Sequence, residues 1–116
     1  MVVLVCRDLL FVSKVDGAAR AAGTTVKTVG SCKAAAAWAG AVRVAVVDLG
    51  LKPAAGEIAA LRAACPGAKI VCFGSHVDVA ALRAARAEGA DEALPNSAFV
   101  QRLVEFVAAA PAPRAP

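Results

Sequence analysis

Two aspartates in this 116-residue chain stand where a carboxylate can do chemistry. Asp8 comes two residues after the apolar run Val2–Cys6, and Asp48 directly follows Val44–Val47. A carboxylate at the mouth of a buried strand either edges a ligand site or caps the turn that follows. If the two mouths are neighbours, Asp8 and Asp48 would hold Mg²⁺, a hard cation that takes oxygen ligands and one or two carboxylates, against a phosphate oxygen. Asp48 would then be the nucleophile, forming an aspartyl phosphate. Ser75 follows a further apolar run, Ala68–Phe73, and its hydroxyl would donate to a phosphate oxygen. A local role competes: Ser75-His76-Val77-Asp78 has the form of a capping box, a hydroxyl at the N-cap and an acid three residues on. Asn96 and Ser97 precede the last apolar stretch and are good N-cap types, which accounts for them without a ligand.

Other chemistry is disfavoured. There is no GxxxxGK loop, and Arg7-Asp8-Leu9-Leu10 contains no glycine where a GxGxxG turn would stand, so neither a nucleoside triphosphate nor a dinucleotide has its usual seat. His76 is the only histidine, and no recognisable motif pairs it with a nucleophile. The four cysteines (Cys6, Cys32, Cys65, Cys72) form no CxxC, and Cys65 to Cys72 is too wide for a zinc knuckle. They read as small buried hydrophobes in a reducing cytoplasm. No metal and no cofactor is expected, unless Asp48 is phosphorylated and Mg²⁺ sits on Asp8 and Asp48.

The elements that must position these groups alternate regularly. Val2–Cys6, Thr24–Val29, Val42–Val47, Ala68–Phe73 and Ala93–Leu94 read as strands. Between them, Leu9–Ala22, Ser31–Ala41, Pro53–Cys65, Val77–Glu88 and Ser97–Ala109 read as helices, stopped by Gly23, Gly40, Pro66-Gly67 and Gly89. Ile58, Leu61 and Cys65 sit at i, i+3, i+7, as a one-sided helix requires. Five buried strands alternating with helices predict an α/β fold, a doubly wound five-stranded parallel sheet with helices on both faces. In such a sheet the ligand site lies outside the carboxyl ends of the strands. That is where Arg7-Asp8, Asp48, Gly74–His76 and Pro95–Ser97 fall. Residues 1–109 form one domain, and 110–116, ending in PAPRAP, read as a disordered tail.

Composition narrows the class further. The chain is 59% hydrophobic, but the excess over ordinary usage is mostly alanine, 31 of the residues, and only 19% is charged, so it folds. A spanning helix needs roughly 18 apolar residues, and charges cut every run here sooner, so no membrane segment is expected. The amino terminus has no basic leader, and Arg7-Asp8 interrupts its apolar stretch, so no signal peptide is expected. The net charge of +4 permits an acidic partner. The basic residues are scattered, Tyr is absent and the four Phe are not interleaved with Arg or Lys, so no nucleic-acid surface is expected.

Over about residues 2–109 this arrangement resembles the response-regulator receiver domain. The resemblance rests on five βα units, an Asp ending the third strand (Val46-Val47-Asp48-Leu49), Pro53 nearby, and Ala84-Ala85-Arg86-Ala87-Glu88-Gly89-Ala90-Asp91-Glu92-Ala93-Leu94, an A…GAD-x-x-L pattern. It implies a flavodoxin-like strand order, 2-1-3-4-5. It also implies departures. The family's pair of acids after strand one, which hold Mg²⁺, falls on Arg7-Asp8. The hydroxyl residue ending strand four falls on Gly74, with Ser75 one place late. The phosphate-contacting lysine falls on Asn96, followed by Ser97 where the family has proline, and the switch aromatic falls on Ala93. The proline after the acceptor comes one residue late. Arg7 would pair its guanidinium with Asp48 and fill the cation site. The resemblance therefore points to a degenerate pseudo-receiver whose pocket comprises Arg7, Asp8, Asp48, Ser75 and Asn96.

The last helix suggests what it contacts. Phe99, Leu103 and Phe106 form one apolar stripe and Val100, Val104 and Val107 a second. Both are buried, or the second meets another subunit or domain. Receivers commonly dimerise through their fourth and fifth helices, so a homodimer through Val100, Val104 and Val107 is implied by the resemblance. Trp38 reads as a packing residue among small neighbours. With no output domain in this sequence after the tail, the module is expected either to act on a separate partner or to be a fragment of a longer protein. The function expected is a stand-alone signalling module of a two-component type, not an enzyme, which contacts an unidentified protein without phosphotransfer. Two alternatives stay open: a functional phosphoreceiver using Asp48, and a small-ligand binder using the same crevice.

Overall fold

In the computed structural model, which describes residues 1–109, five parallel strands form one sheet in the order β2-β1-β3-β4-β5. They are β1 (Val2–Val5), β2 (Val26–Val29), β3 (Val44–Asp48), β4 (Lys69–Gly74) and β5 (Glu92–Pro95). The helices are α1 (Leu9–Ala21), α2 (Cys32–Ala36), α3 (Glu57–Ala64), α4 (Val79–Ala87) and α5 (Asn96–Ala108). Both the fold class and the strand order agree with expectation. The expected tail, 110–116, lies outside the described residues.

Strand alternation divides the interior in two. Val3, Val5, Ala45, Val47, Ile70, Cys72 and Ala93 face α2, α3 and α4, meeting Ala35, Ile58, Leu61 and Ala85. Val2, Leu4, Val44, Val46, Val71 and Phe73 face α1 and α5, meeting Val15, Ala19, Phe99, Leu103 and Phe106. The first layer is built of aliphatic side chains and cysteines, and the second carries all four phenylalanines. Phe73 and Phe99 stack with centroids 4.3 Å apart. Phe11 leans on Phe73 at 4.8 Å, and Phe106 lies 6.1 Å beyond Phe99.

Several boundaries differ from the sequence reading, each for a local reason. The second helix does not run to Ala41. It ends at Ala36, and a 3₁₀ turn, Ala39–Ala41, follows, since only Cys32 and Ala35 anchor it to the core. The third helix starts at Glu57, not Pro53. Gly56 takes φ +90°, and Glu88, at the end of α4, caps the start by accepting from the Gly56 and Ala59 N–H groups at 3.0 and 3.1 Å. The fourth helix starts at Val79 because Asp78, not Ser75, is its N-cap, accepting from Ala81 N–H at 3.1 Å. Neither Asn96 nor Ser97 caps the last helix. Asn96 is its first residue, and Pro95 precedes it.

The Gly89-Ala90-Asp91 stretch has a packing explanation. Gly89 holds φ +113°, and any Cβ there would fall 2.9 Å from Arg62 Cγ, so glycine alone fits. Arg62 donates to Asp91 Oδ2 at 3.0 Å and to the carbonyls of Gly89, Cys65, Pro66 and Ala68. Asp91 also accepts from Ile70 N–H at 2.8 Å, tying the entry of β5 to β4. Beside it, Arg102 of α5 bonds Glu92 and Glu105 and lies 4.7 Å over the Phe106 ring. The Arg102 bonds hold the Glu92 carboxyl below its ordinary range.

The stacked layer sets a stability expectation. Phe99 is fully buried at the centre of the ring column, so Phe99→Ala should cost about 3–5 kcal/mol. Val104→Ala, on the outer face of the same helix, should cost within about 0.5 kcal/mol. Urea unfolding followed by circular dichroism measures both, and equal losses would contradict the packing described.

Candidate functional site

The carboxyl ends of β1, β3 and β4 and the start of α5 open onto a crevice of about 370 Å³. Asp8, Asp48, Ser75 and Asn96 all line it, together with Phe11, Gly50, Leu51 and Gly74. Four of the five expected pocket residues are therefore brought together. The fifth, Arg7, is not among its walls.

Arg7 is exposed and turns the other way. Its guanidinium lies against Gly30, where an added Cβ would sit 3.1 Å from Nε and Nη2. It makes no ion pair with Asp48, so the expected neutralisation of that carboxylate by Arg7 does not occur. The reason is register. Val5 pairs with Val47 in the β1–β3 ladder, which sets Cys6 abreast of Asp48. Arg7, one residue on, leaves the sheet on the opposite side.

Cys6 is the residue that sequence reasoning passed over. Its thiol donates to Asp48 Oδ2 at 3.4 Å and approaches Asp8 O at 3.7 Å. Burial pushes its pKa up to about 11, with the Asp48 charge adding to the rise, so the group stays a neutral donor. The signal was present: Cys6 closes the run that Asp48 closes on the neighbouring strand. The other three cysteines are buried and free, as expected.

The two aspartates do the same local work. Both hold φ −79° and ψ 110°. Asp8 Oδ1 accepts from Leu10 N–H at 2.9 Å and caps α1. Asp48 Oδ1 accepts from Gly50 N–H at 2.8 Å and caps the 3₁₀ turn Leu49–Leu51. A Cβ at Gly50 would stand 2.9 Å from that oxygen, so a larger residue there must push the Asp48 carboxylate aside. The corner at Gly74 is closed by Leu49, whose Cβ lies 3.1 Å from where a Gly74 Cβ would be, so a larger residue at 74 must displace the turn. Ser75 is exposed; its Oγ accepts a 3.4 Å bond from Val77 N–H. His76 is exposed beside it.

The receiver resemblance implies Mg²⁺ at this place, and the donors do not fit that ion as they stand. A hard cation needs oxygen ligands. Here one oxygen of each aspartate holds a helix cap, and the second Asp48 oxygen faces a soft, protonated sulfur. Among the described residues no group of three or more His, Cys, Asp or Glu side chains is placed to hold a metal.

Of the expected interface residues, Val104 is 70% exposed and Val100 37%, whereas Val107 is fully buried. Val107 therefore belongs to the core against the sheet, because it falls on the same face of α5 as Leu103 and Phe106. Trp38 is 40% exposed, with Lys27 Nζ 5.1 Å from its ring centroid, so it is only half a packing residue.

The thiols give the fold a pH dependence. An ordinary cysteine ionises near 9, but Cys6 and Cys32 are raised to about 11 and Cys72 to about 12, in each case chiefly by burial. The unfolded chain thus loses these protons first. Stability is whole below pH 9 and should fall as pH rises from there through 11 to 12. Urea midpoints between pH 8 and pH 11 measure this; a midpoint that rises over the same range would contradict the burial of these groups.

No protein-family model matches the chain, and no curated protein matches it. Solved structures do. The receiver domain of NtrX from Brucella abortus matches at 17% identity and TM-score 0.77, covering 93% of this chain and 98% of that one. A response regulator protein from Burkholderia pseudomallei, solved with a phosphorylated aspartic acid, a calcium ion and citrate, matches at 23% identity and TM-score 0.75 over 91% of this chain. This chain spans 65% of that protein's length. The orphan response regulator HP1043 of H. pylori matches at 12% identity and TM-score 0.72, covering 91% of this chain and 94% of that one. Matching strand order and this breadth of overlap give one result: the chain has the fold of a response-regulator receiver domain.

Proposed function

We propose that the chain is a receiver-shaped signalling module that acts through protein contact and does not take a phosphoryl group on Asp48. The observation that carries this reading is the charge of the crevice. Among the described residues its walls hold two carboxylates and no lysine or arginine. Phosphoryl transfer depends on positioning and on neutralising the oxygens of the transferred group. A phosphoryl group on Asp48 would face Asp8, the neutral Asn96 and the protonated Cys6. The lysine of the family would contribute a charge-assisted bond of about 1.5–3 kcal/mol, and Asn96 carries no charge to replace it. Asp48 keeps its oxygens occupied by Gly50 N–H and the Cys6 thiol, so the acid serves as a structural acceptor.

The partner surface proposed is the outer face of α5. Val100 and Val104 project from it, and a second copy of the chain is the occupant we infer there. An interface of this kind buries on the order of 1,000–2,000 Å² in total. The setting proposed is the cytoplasm, since four free buried thiols suit a reducing compartment. None of the described helices is long and apolar enough to cross a membrane.

Two measurements test the reading. Incubation with acetyl phosphate and Mg²⁺ should leave the intact mass unchanged, and beryllofluoride should give no adduct. The paired variant Cys6→Asp with Asn96→Lys should gain Mg²⁺-dependent labelling at Asp48. A stoichiometric adduct on the parent chain would overturn the proposal in favour of a working phosphoreceiver. For the interface, sedimentation velocity should show a dimer that Val104→Asp converts to monomer; a monomeric parent chain would remove this part of the reading.

A further inference from the structure

The net charge of the chain is not spread over the molecule. Residues 1–43 contain six Lys or Arg and two Asp, while residues 44–116 contain seven of each sign. The whole excess of +4 therefore belongs to the β1–α1–β2–α2 portion, and its charged side chains lie on α1, β2, α2 and their connections. All six of those cations are exposed. Both acids are engaged: Asp16 pairs with Arg20 at 3.2 Å and Asp8 caps α1. Arg7, Lys27 and Lys33 have no ion-pair partner among the described residues.

Two of these cations, Arg7 and Lys27, flank an open strand edge. Among the described residues β2 pairs only with β1. Val2 N–H donates to Thr25 O and Cys6 N–H to Val29 O, so the odd-numbered residues of β2 face β1. By alternation Val26 and Thr28 turn their N–H and C=O groups outward. Lys27 sits between them and Arg7 lies over Gly30 at the end of the strand, whereas Lys33, on the first turn of α2, lines the groove toward α3. Trp38, beside Lys27, offers a half-exposed aromatic surface to the same flank.

We propose that this β2 edge is a docking surface for an acidic polypeptide segment that adds in extended form as a sixth strand. The unpaired backbone groups ask for a peptide, which supplies alternating donors and acceptors. A strand edge marked by Lys repels a copy of itself and selects a strand of opposite charge. A second copy of this chain would bring the same cations and is disfavoured for that reason. A nucleic acid would satisfy the charge but not the row of outward N–H and C=O groups. The surface is separate from the crevice, so this inference stands whether or not Asp48 takes phosphate.

Trp38 is the only tryptophan and the chain has no tyrosine, so its fluorescence reports this flank alone. The full chain is titrated with a short peptide of alternating Glu and Thr, with the Gln–Thr counterpart, and with a single-stranded DNA oligonucleotide. The acidic peptide should change the Trp38 emission and slow hydrogen exchange at the Val26 and Thr28 amides. Lys27→Glu combined with Arg7→Glu should weaken it by about tenfold or more, and added salt should do the same. Thr28→Pro, tolerated where the N–H points outward, should abolish binding with unchanged circular dichroism. Any of three results would overturn the proposal: no protection at Val26 and Thr28 up to millimolar acidic peptide, equal binding of the Gln–Thr peptide, or an oligonucleotide that produces these effects while the peptide does not.

Discussion

Val5 pairs with Val47 in the central ladder, and the character of the crevice follows from that register. With these two residues abreast, the next pair is Cys6 and Asp48. A shift of one residue would set Arg7 there and bring a cation to the carboxylate, but it would also turn every apolar side chain of β1 to the wrong layer. The register is held by burial on both faces: Val2, Val3, Leu4 and Val5 are all buried, as are Val44 through Val47. The sheet thus determines which neighbour the acid receives, and that neighbour is a neutral thiol. Its protonated state is a product of the same burial, which penalises the thiolate.

Much of this was legible in the residues, and the failures have physical causes. Continuous apolar runs mark β1, β3 and β4 because a strand covered on both faces has no polar side. The carboxyl-end rule then gathers Asp8, Asp48, Ser75 and Asn96 at one crevice. Arg7 was misplaced because an apolar run does not disclose the residue at which the pleat ends. Ser75 and Asp78 are both good caps three residues apart, and only the geometry of the preceding turn decides between them. Val107 follows Val104 by three residues on the helix, a rotation of about 300°, which is enough to carry it from the rim to the core. Arg62 was unreadable, since it joins the carbonyls just beyond its own helix to Gly89 and Asp91, which reach it only in the fold.

The two layers of the interior differ in kind. On the α2–α3–α4 side the contacts are among Ala, Cys, Val, Ile and Leu, and each helix start depends on a specific acceptor: Ser31 for α2, Glu88 for α3, Asp78 for α4. On the α1–α5 side bulky rings carry the packing, and α5 needs no side-chain cap at all. Short helices of few large residues lean on their caps, whereas a thirteen-residue helix with Phe99, Leu103 and Phe106 buried is held by area alone.

The ring column on that second side reaches both ends of the molecule. Phe11 stands in the wall of the crevice and leans on Phe73, Phe73 lies flat on Phe99, and Phe99 leads down α5 to Phe106, under the Arg102 guanidinium and Lys69. Rings are stiff plates, and plates in contact cannot slide far without their neighbours giving way. Whatever body wedges against the outermost plate therefore leans on a pile that has α5 as its far support, and the helix must either resist the push or roll with it.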